Sequence, residues 1–477
     1  MKKKSKKNKS SKILTFPNLL LIIIMIYPAI DFMLTIYYTT SMNFVITFII
    51  LYSSEFFLLL MAFILLLKMK MYKDKLFYYP MLLMLVFGVY SIIGYRMTGG
   101  DIFIVLKDLR YILVPLELML FGMYLCKVNF SMTKIIKSIL IFSVLIVVWG
   151  CIEEFVLSPN PFFTSVTEGD YSFFVKYLNI QDYLINIKRH DPVVGAGKQN
   201  PIGTSSGSRP FYSGIGIDHR MVSFFIEPLS CGIYLGAVLS LVFYLIILKQ
   251  NIYKKYLPFI FIIVLIGMLL SQDRSATFFF GMSLLPIVLR SNRGRIIIFV
   301  LLALSLAFTG GGERGTMSDF YNPFASVQTL LNREGGHAAG VIDFWKSLLD
   351  PIFMVGHGVG CVITMESGYA FIYDQTGYVG LITFLLMMRK FYLMTRRFNI
   401  KYRFYSYLTS GYIFGTLFIN NFGQYIYTFK GFMFIWVFIG YTIMLKRKIE
   451  IEAENVKKIK NKNQVINEIP IVQLQPI

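Results

Sequence analysis

Charge is scarce in this chain. Only 15% of its 477 residues are Asp, Glu, Lys or Arg, against roughly 25% in soluble domains. That shortfall argues against an ordinary soluble enzyme, a disordered chain or a coiled coil. Cysteine is scarcer still. Cys126, Cys151, Cys231 and Cys361 show neither a CxxC nor a metal-ligand spacing, so no disulfide scaffold is implied. Three of them lie in apolar stretches and read as free buried thiols. The four histidines, His190, His219, His337 and His357, are scattered, and no outer metal-ligand cluster is in view. The first stretch is basic and then apolar, without a small-residue cleavage site before Tyr37, so it does not read as a cleaved leader. No internal repeat is visible.

Apolar residues are abundant instead, at 56%, with 17% aromatic and a mean hydropathy of +0.62. Apolar runs approaching ~20 residues recur from end to end, the pattern of an all-α polytopic membrane protein. Twelve spans are predicted: 14–36, 44–67, 76–95, 102–125, 139–156, 222–248, 256–270, 272–289, 296–308, 369–388, 404–419 and 429–445. The ninth is the weakest.

The net charge of +21 invites a nucleic-acid reading, and its distribution removes it. Of 47 Lys and Arg, 33 fall in the termini and alternate loops, with only 5 of the 26 acids. The basic clusters at 68–75, 127–137, 249–255, 290–295 and 389–403 alternate with poorly basic loops. This is the positive-inside pattern, and it puts both termini in the cytoplasm. The terminal basic runs, 1–12 and 446–462, are expected on anionic headgroups. The chain then divides into a basic N-terminus (1–13), five spans (14–156), an external loop (157–221), four spans (222–308), a second external loop (309–368), three spans (369–445) and a cytoplasmic tail (446–477). Two long external loops among short connections imply a use for them.

Ionisable residues within spans are costly and face a protein interior or a wet cavity. The fourth span carries Lys107, Asp108, Arg110 and Glu117, and steps of three and seven bring positions 107, 110 and 117 to one face. That face is either a polar cavity wall or an internal ion-pair network. Arg274 stands at the start of the eighth span, in Ser271-Gln-Asp-Arg-Ser-Ala-Thr. It can snorkel, or it can flank a helix N-terminus that favours an anion and grip a phosphate bidentately. Arg220 occupies the matching place at the start of the sixth span. Glu227-Pro228 follows seven residues later, two turns along the same helix face. Arg209 and His219, just upstream, could help bind an anionic or sugar substrate. Glu366 opens Glu366-Ser-Gly-Tyr at the mouth of the tenth span, where Gly377 and Gly380 are spaced for close helix packing. Gly356-His-Gly-Val-Gly reads first as a tight turn.

Four of these pieces, in this order, carry a family resemblance. They are Arg220 with Phe-Phe-Ile-Glu-Pro-Leu-Ser; Ser271-Gln-Asp-Arg-Ser-Ala; Arg333 followed by Trp345 and Gly356-His-Gly-Val-Gly; and Glu366-Ser-Gly-Tyr ending in Gly-Tyr-Val-Gly. Together they resemble the O-antigen and capsule polymerase/ligase superfamily, the Wzy-type polymerases and O-antigen ligases. The resemblance implies a GT-C-like membrane glycosyltransferase that needs no metal or other cofactor. It would act at the outer face of the bacterial cytoplasmic membrane on undecaprenyl-diphosphate-linked glycan donor and acceptor. Arg220 and Arg274 would hold the diphosphate and Glu366 would act in catalysis. Arg209, His219, Glu227, Arg333, His357 and Tyr369 would contact substrate. A chain-length regulator and a flippase are the partners it implies, besides membrane lipids and with no nucleic acid. Ligases of the family carry a histidine where Glu366 stands; this departure favours a polymerase and leaves the general base open. A ligase of the same fold and a lipid-linked oligosaccharide flippase or other transporter are the alternatives.

Overall fold

A computed structural model describes residues 77–100, 102–152, 223–225, 228–271, 274–289, 354–361, 367–396, 402–421 and 429–467. It also describes Met221, Leu348, Phe398 and helical residues within 16–29 and 60–69. Among the described residues the regular structure is helical throughout. The elements are α1 (Tyr78–Met97), α2 (Ile102–Lys127), α3 (Met132–Cys151), a 3-10 turn (Ser223–Phe225), α4 (Pro228–Ile247), α5 (Leu257–Ser271), α6 (Arg274–Ser283), α7 (Leu285–Val288), α8 (Gly368–Thr395), α9 (Arg403–Ile419) and α10 (Phe429–Asn467).

Five helical stretches are long and apolar enough to cross a membrane: Tyr78–Met97, Asp108–Lys127, Met132–Cys151, Ser230–Ile247 and Gly368–Thr395. Their outward faces are apolar too. On α1, Tyr78, Leu85, Val89 and Ile92 are 50–66% exposed and recur at helical spacing on one side. Pro80, Leu83, Val86 and Phe87 are buried. An exposed apolar stripe of this length suits lipid rather than water.

The centre of the bundle is the pairing of α2 with α10, the most extensive helix–helix contact among these elements. Small residues make it possible. A Cβ on Gly122 would lie 2.0 Å from the Val437 carbonyl oxygen, and one on Gly440 would lie 1.9 Å from that of Met119. The two backbones therefore touch, the device by which membrane helices pack without a hydrophobic driving force. Around this pair stand α4 with α5 and α6, and α1 with α8. Buried aromatic rings fill the middle, with Tyr412 edge-on to Phe434 and Phe438. The Tyr412 hydroxyl donates to the Ala237 carbonyl across helices, at 3.0 Å.

The basic connections gather at one end. Lys448 Nζ donates to the Cys126 carbonyl at 3.2 Å and to Asn129 Oδ1. The Lys137 ammonium lies 5.1 Å over the Tyr253 ring, and that of Lys446 lies 5.3 Å over the Phe398 ring. Loops far apart in sequence thus share one side of the bundle.

Four helices depart from the spans read in the sequence. The tenth, α8, runs seven residues past Met388 to Thr395. The fifth begins seven residues earlier than expected, at Met132, after the extended Ser131. The last helix continues 22 residues past Leu445 to Asn467, because nothing in 446–467 breaks it: the segment has neither Gly nor Pro. The sixth does not start near Val222. A 3-10 turn comes first and the helix starts at Pro228, because proline suits the first helical position, where its missing N–H costs nothing. Arg220 and Glu227, read as two turns apart on one helix face, lie outside the described residues. The first, second and ninth spans lie largely outside the described residues.

Candidate functional site

Two polar groupings lie at the end of the bundle opposite the basic connections. The first joins the start of the sixth segment to the junction of α5 and α6. The Met221 N–H donates to the Leu270 carbonyl at 3.0 Å, and Met221 packs so closely on Gly150 that a Cβ there would meet its sulfur at 2.2 Å. Ser223 then donates to the Ile146 carbonyl at 2.8 Å, and Phe224 stacks on Trp149. The chain entering α4 is thereby pinned between the ends of α3 and α5. Helix α6 starts at Arg274, so this residue stands at a helix N-terminus, as its sequence context implied. The Arg274 side chain lies outside the described residues. So do Arg209, His219, Arg220, Glu227, Arg333 and Glu366.

The second grouping is built on a broken helix. Gly377 in α8 has φ 60° and ψ −157°, a conformation open essentially to glycine alone. The spacing of Gly377 and Gly380 predicted helix packing; at Gly377 the structure instead uses glycine to break the helix. The break takes the Asp374 and Gln375 carbonyls out of the helical ladder, and buried carbonyls require donors. The turn at Gly356-His-Gly supplies them. His357 N–H donates to the Asp374 carbonyl at 2.8 Å, and Gly358 N–H donates to that of Gln375 at 3.0 Å. Gly356, Gly358 and Gly360 all have positive φ, which makes the predicted tight turn. His357 Nδ1 lies 3.2 Å from the same Asp374 oxygen. A carbonyl can only accept, so Nδ1 carries the proton.

The turn is also locked onto α1. Val359 N–H donates to the Tyr90 carbonyl at 3.0 Å, and the Tyr90 hydroxyl donates to the Val355 carbonyl at 2.5 Å. Tyr373 and Tyr378 both donate to the Leu348 carbonyl. Inside this frame Asp108, Asp374 and Gln375 are at most 3% exposed. Gln375 Nε2 donates to Asp108 Oδ2 at 2.8 Å, tying α8 to α2. The Cys361 thiol pKa is raised by burial and then by the negative charge of Asp108, so the carboxylate acts on the turn as well. Arg110 stacks 5.0 Å over the Tyr111 ring, whose edge meets Phe371 of α8.

The start of α8 is fixed as firmly. Ser367 caps it, its Oγ accepting from Tyr369 N at 3.2 Å and Ala370 N at 3.4 Å. The same hydroxyl donates to the Asn420 carbonyl at 2.9 Å, and Gly368 N–H donates to that carbonyl at 2.8 Å. Tyr369, expected as a substrate contact, donates its hydroxyl to the Leu417 carbonyl at 2.5 Å. His357, expected likewise, sits in the turn that closes the break. Sequence reasoning did not single out Gln375. The signal was present in Asp374-Gln-Thr, three polar residues in a row before a glycine within an apolar span.

Cys126 and Cys361 are free thiols. Among the described residues no group of three His, Cys, Asp or Glu side chains is placed to hold a metal ion. No protein-family model, curated protein or solved structure matches the chain.

Proposed function

We propose that this chain is a polysaccharide polymerase of the cytoplasmic membrane, GT-C-like and with about twelve spans, which joins undecaprenyl-diphosphate-linked repeat units at the outer face. The observation that carries this reading is the Met221–Leu270 backbone hydrogen bond. It joins the residue that follows Arg220 to the end of the helix just before Ser271-Gln-Asp-Arg274. Two arginine-bearing segments converge there, beside the N-terminus of α6, and such a terminus favours an anion. The basic connections at the opposite end are the cytoplasmic ones by the positive-inside rule.

In the reaction, an acceptor hydroxyl oxygen attacks the anomeric carbon of the donor sugar. The bond from that carbon to the diphosphate oxygen breaks, and undecaprenyl diphosphate leaves with the electron pair. Glu366 takes the hydroxyl proton. Arg220 and Arg274 hold the diphosphate, whose negative charge grows as the bond breaks, so they stabilise the transition state more than the ground state.

The broken α8 favours a second reading, since discontinuous helices are a mark of transporters. In transporters the freed carbonyls line a cavity. Here those of Asp374 and Gln375 take backbone donors from the His357 turn, which weighs toward a static support.

The test is the leaflet-resolved mass spectrum of undecaprenyl-linked lipids in a strain lacking this chain. Single repeat units on the outer leaflet are expected. Long lipid-linked polymer would mean a ligase, and repeat units held on the cytoplasmic leaflet would mean a flippase. Arg220→Ala and Arg274→Ala should each slow chain extension by about 10²- to 10³-fold with the protein still in the membrane. Normal polymer length in both overturns the clamp.

A further inference from the structure

We infer that the start of α3 and the connection from α4 to α5 form a surface site for an anionic phospholipid with two phosphates, a diphosphatidyl lipid of the leaflet that meets the basic end. This rests on the chain spanning a bilayer and not on the reaction proposed above.

Five lysines gather there. Lys134 and Lys137 stand in the first two turns of α3, and Lys249, Lys254 and Lys255 lie in the connection; all five are exposed. Neither 128–137 nor 248–257 contains Asp or Glu. The first turns of α3 and α5 hold no acid either, so their positive ends add to the lysines. A surface of one sign without internal neutralisation attracts counter-charge from outside.

Tertiary structure makes one surface of two distant segments. The Lys137 ammonium lies 5.1 Å over the Tyr253 ring, which ties the connection to α3. The connection is itself folded. Lys249 takes the left-handed conformation, with φ 50°. Its N–H donates to the Ile246 carbonyl at 3.1 Å, and Gln250 N–H donates to that of Leu245 at 2.9 Å. This closes α4. At the other end the Tyr253 carbonyl accepts from Tyr256 N–H at 2.7 Å and from Leu257 N–H at 3.1 Å. The lysines are thus presented on a fixed turn.

An apolar face continues from them. Positions 134, 137, 141, 145 and 148 follow at steps of three and four, on one side of α3. Ile141, Leu145 and Val148 are 49–54% exposed. On α5, Phe259, Ile262 and Ile266 share a face and are 46–68% exposed. Both helices start at the basic end and run parallel. They meet where a Cβ on Gly267 would lie 2.4 Å from Val147 Cγ2. Counted from that contact at about 100° per residue, the two stripes turn to the same side of the pair. Tyr256, also exposed, stands at the boundary, as interfacial tyrosines do.

Charge and apolar surface together select the occupant. A free anion would leave the stripes uncovered, and an uncharged lipid would leave the lysines unmatched. An anionic phospholipid satisfies both. A diphosphatidyl lipid doubles the charge of a one-phosphate lipid and brings enough acyl chains for both stripes.

The test is native mass spectrometry of the full chain in detergent with cardiolipin, phosphatidylglycerol and pyrophosphate as probes. One cardiolipin should be retained per chain, more tightly than phosphatidylglycerol, and pyrophosphate should not displace it. The double variants Lys134→Gln/Lys137→Gln and Lys254→Gln/Lys255→Gln should each weaken retention, by about fivefold per lysine removed. Arginine at the same positions should restore it. Ile141→Ser/Phe259→Ser should weaken it too; if that variant does not fold, the exposed lysines carry the test. Arg389→Gln/Lys390→Gln, at exposed positions of the same end in α8, should change nothing. An equal loss there would mean diffuse attraction to a basic surface and overturns the site. Displacement by pyrophosphate would make it an anion site without lipid. Equal retention of phosphatidylglycerol, or no retained lipid, overturns the proposal as well.

Discussion

The α2–α10 pair and α8 solve the same problem in opposite ways. Both lie in apolar surroundings where each backbone N–H and C=O needs a partner. The first pair stays helical and brings two glycines face to face, so that backbone touches backbone at Gly122 and Gly440. Helix α8 gives up its ladder at Gly377, and a separate turn supplies the missing donors. The unbroken pair holds the bundle together. The broken helix collects the buried polar groups, Asp108, Asp374 and Gln375, at one point. A helix break costs little once its carbonyls are bonded, and it offers positions that a regular helix does not.

Substitutions can separate these two roles. The largest effect is expected from Gly440→Leu, whose first side-chain carbon already lands 1.9 Å from the Met119 carbonyl oxygen. Overpacking of this kind costs about 3 kcal/mol, and monodisperse protein should be lost on size-exclusion chromatography. Gly377→Ala should cost about 1–3 kcal/mol, since the backbone there is open essentially to glycine and a Cβ would sit 2.2 Å from the Met354 carbonyl oxygen. Its signature is local: the turn should loosen and maleimide should label Cys361 faster. An unchanged rate would mean that the turn does not depend on the break. Ser367→Ala removes the α8 cap and should lower the thermal midpoint by the equivalent of about 1 kcal/mol.

A pH experiment sharpens the contrast further. Burial first, and then the Asp108 carboxylate, raise the Cys361 thiol pKa, and thiolate is the species that maleimide alkylates. The labelling profile should therefore lie at higher pH than that of an ordinary thiol. Asp108→Asn should move it downward but not the whole way, because burial remains. No shift would mean that Asp108 is uncharged near the turn. The smallest effect belongs to Lys446–Glu450, a 3.8 Å pair on the solvated side of α10. Glu450→Gln should change stability by no more than about 0.5 kcal/mol.

Much of this arrangement was legible beforehand. Apolar runs located five of the membrane-length helices to within a few residues at most ends, because a span must be long and apolar to cross lipid. The Gly356-His-Gly-Val-Gly turn was read from composition, since repeated positive φ calls for glycine. The start of α4 lies six residues past the expected one, because hydropathy does not register a 3-10 turn and proline suits the first position of a helix. Gln375 was passed over because a glutamine in a span carries no charge to mark it.

Composition and charge order alone determine that the chain is apolar, multi-spanning and basic on alternate loops, because these are properties of single segments in contact with lipid or water. Tertiary structure decided which segments meet. The Met221–Leu270 hydrogen bond, the Asp108–Gln375 pair and the capture of the Asp374 and Gln375 carbonyls join residues from about 17 to more than 260 positions apart. Only packing of the whole bundle brings such residues within 3 Å, because hydrogen bonds and backbone contacts at glycine depend on position in space rather than on periodicity along the chain.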